Sequence, residues 1–384
     1  MTRRRYRIGA LGAVLLGTMA WTARDARTFG RVLLLEPEGT TSAGVSLGDV
    51  DADGDLDVVL ARGRHWPLEN RLFRNDGRGH FVGEAIAESA DRTYTAALAD
   101  LDGDGDLDAV VSNDRPDRKL LYLNDGRGYF QVAGTFGEPA WSTRYVTVAE
   151  LNGDGRPDLV VANRSSNPAN PRPSFVCLND GRGGFPVCTP LATQSATIIV
   201  AADYDGDGYV DLFVPHRDGG QSLLFWNDGR GGFAGAPTPV GAAPSHTRAA
   251  VAADLDGDAR PDLVTGDERA GIFVHRNTGA RAFAPPARLG IGTASPYAVG
   301  AADLDRNGTV DLVVGHDNAV GAVHFNDGAR AGAPLRFTAV PWNDGKGAVY
   351  GLAIGDLDGD GWPDIAAARS DAPNGIWFSD PARR

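Results

Sequence analysis

The sequence predicts an all-β chain: a seven-bladed β-propeller of four-stranded antiparallel blades, closed by an N-terminal strand that pairs with the last blade. Three observations carry this expectation. An acidic stretch recurs seven times at an even spacing of about fifty residues. Each copy is followed by the same series of short apolar runs. The strand that the last copy lacks stands ahead of the first.

The chain begins MTRRRYRIGALGAVLLGTMAWTARDA. Arg3, Arg4, Arg5 and Arg7 precede an apolar run from Ile8 to Trp21, with small residues around Ala20 and Ala23. That is the pattern of a secretory signal, and the run is short for a membrane span, which needs roughly 20 residues. Residues 1–23 are therefore expected to be a signal peptide, with an uncleaved anchor as the alternative, and 24–384 a single propeller domain. The mature chain is expected to be secreted, periplasmic or at the cell surface, without a membrane span and as a monomer. Net charge is −13 and Lys occurs only at 119 and 346. The arginines are scattered, which leaves no nucleic-acid footprint.

Next comes TFGRVLLLEPEG, residues 28–39, which reads as a strand. The acidic stretches then begin at Asp49, Asp100, Glu150, Asp203, Asp254, Asp303 and Asp356, in steps of 51, 50, 53, 51, 49 and 53 residues. Each follows a run of small residues, such as YTAALAD, and leads into a strand-like run, such as DAVVS or DLVVG. A second apolar run ends in an Asn turn: LFRNDG, YLNDG, CLNDG, FWNDG, HRNTG, HFNDG and, frayed, WFSDP. Asn-Asp-Gly between apolar runs is a strong hairpin signal. Phe81, Phe130, Phe185, Phe233 and Phe283 are expected to open a fourth strand. The seventh unit stops near Phe378 with no fourth strand, and residues 28–39 would supply it, leaving no open seam. The residue before each acidic loop is Gly or Ala in all seven units, which suits strands crowded about an axis.

Cys177 and Cys188, the two cysteines of the chain, flank one NDGRGG turn. Symmetric pairing about residues 182 and 183 sets them opposite each other, and export favours a cross-strand disulfide there. Two free buried thiols are the alternative.

The seven loops align as D-x-D-x-D-G-x-x-D. Side chains at positions 1, 3, 5 and 9, with the carbonyl at 7, would wrap around one point, and Gly at 6 accepts the sharp turn. Hard oxygen donors in this number point to Ca²⁺, which accepts 6–8 oxygens, over Mg²⁺. The ligands are Asp49, Asp51, Asp53 and Asp57; Asp100, Asp102, Asp104 and Asp108; Glu150, Asn152, Asp154 and Asp158; Asp203, Asp205, Asp207 and Asp211; Asp254, Asp256, Asp258 and Asp262; Asp303, Asp305, Asn307 and Asp311; and Asp356, Asp358, Asp360 and Asp364. The third loop, with Glu150 and Asn152, is degraded, and the fifth has Ala259 where Gly is wanted. At roughly 1 mM calcium and a Kd of ~0.1 mM, each site adds about 1.4 kcal/mol. Several together approach the ~5–15 kcal/mol stability of a domain, so calcium is expected to be structural.

DVDADGDLDVV, DLDGDGDLDAV, DYDGDGYVDLF and DLDGDGWPDIA resemble FG-GAP (VCBS-type) repeats, the units of the integrin α-subunit seven-bladed propeller and of many exported bacterial proteins. The resemblance covers about residues 28–380. It implies calcium in the loops between first and second strands, all on one face, and partner binding on the opposite face near the axis. Six residues before each loop stand Ala43, Tyr94, Arg144, Thr197, Arg248, Tyr297 and Tyr350. Five residues after each ninth-position Asp stand Arg62, Asn113, Asn163, His216, Asp267, His316 and Arg369. Both sets are expected to form rings on that face. Tyr and Arg anchor interfaces, so the expected function is a calcium-binding adhesion module for a glycan or protein partner. The alternative is a lyase-like polysaccharide enzyme using a Tyr/His/Arg set, with Tyr297 and His316 as its candidates. HExxH is absent and the loop carboxylates are committed to calcium, so no catalytic residue is assigned.

Overall fold

The run that follows each acidic loop is apolar at its centre, and in Asp108–Asn113 and Asp158–Asn163 it is buried along its whole length. A strand buried on both faces has to sit inside a sheet that is itself packed on both sides. The computed structural model, which describes residues 27–165, 172–191, 195–290, 294–328 and 333–381, places it second of four in a blade. The expected signal segment, residues 1–23, lies outside the described residues.

The second blade shows the plan: Thr93–Ala99, Asp108–Asn113, Lys119–Asn124 and Phe130–Phe136 pair in chain order, each antiparallel to the next. The innermost strands of the seven blades are Thr40–Gly48, Thr93–Ala99, Thr143–Ala149, Val200–Ala202, Thr247–Ala253, Pro296–Ala302 and Ala348–Gly355. Each touches the innermost strand of the next blade, and that of the seventh touches that of the first. Small residues permit this crowding. A Cβ on Gly48 would lie 2.6 Å from Leu107 Cδ1, and one on Gly355 would lie 2.7 Å from Leu56 Cδ1.

The ring closes as the order of strands demands. Arg27–Leu34 pairs antiparallel with Gly375–Pro381, from Arg27↔Pro381 to Leu34↔Gly375, and becomes the fourth strand of the seventh blade. The first and seventh blades also join at Thr40↔Ala372 and Thr41↔Ser370.

Core clusters lie between blades rather than within them. Val59 and Leu72 of the first blade pack with Ala109, Val111 and Tyr122 of the second. Trp342 of the sixth meets Trp377 of the seventh edge to face, with centroids 4.9 Å apart. The Asn turns add polar ties across the same seams. Asn227 Nδ2 donates to Val210 O of its own blade and to Leu151 O of the preceding one, at 2.9 and 2.8 Å. The same double donation is made by Asn75, Asn124, Asn179, Asn277 and Asn326.

The fourth strands depart from the sequence reading. Phe81 and Phe130 open fourth strands as expected, but Phe185 and Phe233 precede theirs, which are the short Val187–Pro190 and Thr238–Val240. Phe283 sits instead in a two-stranded side ribbon with Asn277–Gly279. Outer strands have one neighbour and an exposed flank, as the 66% exposure of Val187 shows, so their length is weakly specified. Cys177 and Cys188 are directly opposed in register and joined as a disulfide.

Candidate metal loops and an axial cavity

Register sets the loops. In every blade the last residue of the first strand pairs with the ninth-position Asp, from Gly48↔Asp57 to Gly355↔Asp364, so eight residues bridge one tight strand connection. Position 6 is left-handed in all seven copies, including Ala259 at φ 65°, where the missing Gly leaves backbone strain.

The ninth-position carboxylates are fully buried and serve two masters. Asp108 Oδ2 accepts the Leu101 amide at 2.8 Å and Oδ1 accepts the Asn124 amide at 2.9 Å, which ties loop to Asn turn. Burial pushes Asp57, Asp108, Asp211 and Asp262 up to about 6, and Asp311 and Asp364 up to about 7, against the hydrogen bonds that favour the charged form. A cation beside these carboxylates would offset that cost.

The residues fit such a cation. Carboxylate oxygens of Asp100, Asp102 and Asp108 lie within 4.8 Å of one another, as do those of Asp203, Asp205 and Asp211, of Asp254, Asp256 and Asp262, of Asp303, Asp305 and Asp311, and of Asp49, Asp51 and Asp53. Asp51 Oδ1 and Asp256 Oδ1 are buried without a hydrogen-bond donor, so each has an open lone pair where a metal would coordinate. Arginines partly compensate for the crowding at position 3. Arg74 reaches Asp51 at 2.9 Å, Arg276 reaches Asp256 at 3.4 Å, and Arg31 pairs with Asp358.

Opposite the loops, at the other end of the innermost strands, lies a cavity of about 320 Å³. Ala43, Tyr94, Arg144, Thr197, Arg248, Tyr297 and Tyr350, one from each blade, all line it. The structure thus brings the whole first ring together. The second ring is not in its lining, which corrects the expectation of two rings at one site. Asn113 and Asn163 are buried and accept from Thr93 and Thr143. Arg369 is buried and bonds Asp344 and Pro373 O, His216 is held under Ser222, and His316 Nδ1 bonds Val320 O. Arg62 pairs with Glu36 at 3.3 Å, and Asp267 caps the turn at Arg269 and Ala270. These strand-end side chains satisfy turns; His316 is not a partner of Tyr297.

Sequence reading missed Arg64, His65, Arg164 and Arg217, which complete the cavity wall. The signal was one to three residues away, since each follows a second strand just past the positions examined. Arg64 has φ 44°, an uncommon conformation for a side chain of its size. Its guanidinium stacks on Tyr350, that of Arg144 on Tyr94 and that of Arg248 on Tyr297, at 3.9, 4.3 and 3.6 Å from the ring centroids. Carboxylates stand behind: Asp114 pairs with Arg144 at 2.7 Å, Asp218 with Arg164 at 2.9 Å, and Glu268 with both Arg217 and Arg248 at 2.8 Å. Burial alone would raise Glu268, but the two arginines outweigh it and hold its pKa below the ordinary value. Burial and then the neighbouring Arg64, Arg144 and Arg164 charges lower the pKa of His65, which favours the neutral imidazole.

Known proteins agree with this architecture. Solved structures similar to the chain include BBS1N in a complex with ARL6DN, at TM-score 0.62 and 12% identity over 94% of this chain and 98% of that one. A lectin of Agrocybe aegerita, described as recognising non-reducing terminal N-acetylglucosamine, aligns at TM-score 0.56 and 20% identity over 78% and 80%. At such identities the likeness is one of fold. No curated protein sequence matches. The FG-GAP-like repeat model matches at residues 49–111, 100–161, 151–214, 203–265, 254–314 and 303–367, each span running from one acidic loop through the next, and the chain belongs to the FG-GAP-like repeat family.

Proposed function

We propose that this chain is an exported, calcium-stapled propeller that works as a binding or adhesion module, taking a glycan or protein partner at the axial cavity. One observation carries the reading: seven side chains, one from each blade, converge there, three of them tyrosines and two arginines. Tyr and Arg are the residues that most often dominate binding energy. The BBS1N structure, a complex with ARL6DN, and the lectin, described as recognising N-acetylglucosamine, share this fold and support both partner classes.

Calcium, when bound, supplies the charge that lets the loop carboxylates sit together. The chain's own part is to hold the carboxylates by backbone amides: Asp100 Oδ1 and Oδ2 accept from Gly103 and Gly105 at 2.8 and 3.1 Å, Asp102 Oδ1 from Asp104 at 3.3 Å and Asp104 Oδ1 from Asp106 at 3.0 Å. The axial cavity is tested on a glycan array with the wild type and an Arg248→Ala, Tyr297→Ala double variant. Defined sugars bound by the wild type and lost in a double variant of unchanged Tm are expected. Binding that survives the double change would place the site elsewhere. Export is checked by sequencing the N-terminus of the mature chain, expected near residue 24.

A second reading, β-elimination on a uronate, has one observation in its favour. His65 Nδ1 and Nε2 both lie 3.4 Å from Tyr94 Oη, between Arg64 and Arg144. New ultraviolet absorbance from unsaturated uronates would support it, and its absence across anionic polysaccharides would remove it.

A further inference from the structure

The axial cavity is cationic by construction. Five arginines line it, at 64, 144, 164, 217 and 248, and among the described residues no carboxylate does. Asp114, Asp218 and Glu268 orient four of them, while Arg64 donates through Nη1 to Ser370 Oγ at 2.7 Å and leaves Nε buried without an acceptor. The tyrosine faces are covered by guanidinium groups, so a ligand entering along the axis meets charge and phenol edges before any open ring.

We infer that the ligand of this cavity is a carboxylated sugar of an acidic polysaccharide, an inference that rests on the axial-site reading above. Guanidinium forks match a carboxylate in two parallel hydrogen bonds. Phenols of Tyr94, Tyr297 and Tyr350 and the imidazole of His65 both donate and accept, which suits ring hydroxyls. An extended acidic peptide would need a free sheet edge or groove for its backbone. Each innermost strand turns its one unpaired edge to the axis, but it also touches the innermost strand of the next blade, so the ring leaves no room for a peptide strand to lie along that edge.

The cavity lies at the small end of ligand pockets, roughly 300–1,000 Å³, so it takes a sugar unit and its acid group rather than a folded surface. Charge at this depth also predicts affinity that falls as salt rises.

The test is calorimetric titration of the full chain in millimolar calcium with three probes: a galacturonate tetrasaccharide, its fully methyl-esterified counterpart, and hexa-aspartate. Binding of the acid alone is expected, weakened at least about tenfold by Arg64→Met and less by Arg64→Lys, with Tm unchanged. Should Arg64→Met fail to fold, Arg217→Met serves in its place. Equal binding of the ester would overturn the acid requirement while leaving the axial site standing. Hexa-aspartate bound in place of the sugar would overturn the polysaccharide and point to an acidic protein. If none of the three binds, the carboxylated-sugar inference falls, whereas the glycan array separately decides whether the cavity binds anything.

Discussion

The two ends of the propeller are built from the same repeat and treat it in opposite ways. At one end seven nearly identical acidic loops gather carboxylates whose mutual repulsion has to be met by a cation or by arginines such as Arg74 and Arg276. At the other end the seven equivalent positions hold Ala, Tyr, Arg, Thr, Arg, Tyr and Tyr, backed by a network of ion pairs. Repetition marks the part that repeats a structural job in each blade. Divergence marks the part where seven blades jointly make one asymmetric site.

Removing calcium should break this comparison most visibly. Chelation at neutral pH is expected to lower Tm by about 10 °C or more, since several sites at about 1.4 kcal/mol each are lost together, and calcium but not magnesium should restore it. An Arg248→Ala change should leave that response intact. A Tm indifferent to chelator would mean the loops are stable acidic turns.

Acid probes the core between the two ends. His275 is 4% exposed, and burial pushes its pKa down to about 4 from an ordinary 6.5. The folded chain therefore holds it neutral while the unfolded chain takes up a proton as pH falls below 6.5. Stability is lost from there down to about pH 4, on the order of 3 kcal/mol in all. In saturating calcium, His275→Gln is expected to flatten the decline of Tm between pH 7 and 5; an unchanged slope would assign acid sensitivity to other groups, such as His324, whose pKa burial also lowers to about 4.

Smaller effects separate individual blades. Cys177→Ser with Cys188→Ser should cost about 2–3 kcal/mol by freeing the unfolded chain, with ligand binding unaltered, as read by chemical denaturation and titration. Least of all are two backbone releases. Ala259→Gly and Arg64→Gly each remove a side chain at positive φ and should each gain about 1 kcal/mol or less in denaturation experiments. The first should tighten calcium binding, whereas the second should abolish uronate binding. Stability gained at equal activity in Arg64→Gly would show that the strain serves nothing at the axis.

Most of the fold was legible because its signals are local and repeated. Asn turns, the left-handed sixth position of each loop and the small residues before the loop each demand one backbone geometry, and their recurrence in phase makes the demand unmistakable. The N-terminal closure was legible for the same reason, since an unpaired edge and a spare strand complete each other. Arg64, Arg164 and Arg217 were harder to find. They follow second strands of differing length and irregular ends, so counting five residues from the ninth-position Asp landed on Arg62, Asn163 and His216, which face turns instead.

By itself the sequence determined the blade number, the strand order, the loop carboxylates and the ring of first-strand residues, because spacing along a chain dictates backbone pairing. Only the tertiary structure decided which polar side chains share the axis. A register change of a single residue turns a side chain from the cavity to a turn. Three of the four ion pairs that aim the arginines inward join different blades, as Asp114 of the second does with Arg144 of the third. No local pattern encodes a contact of that kind.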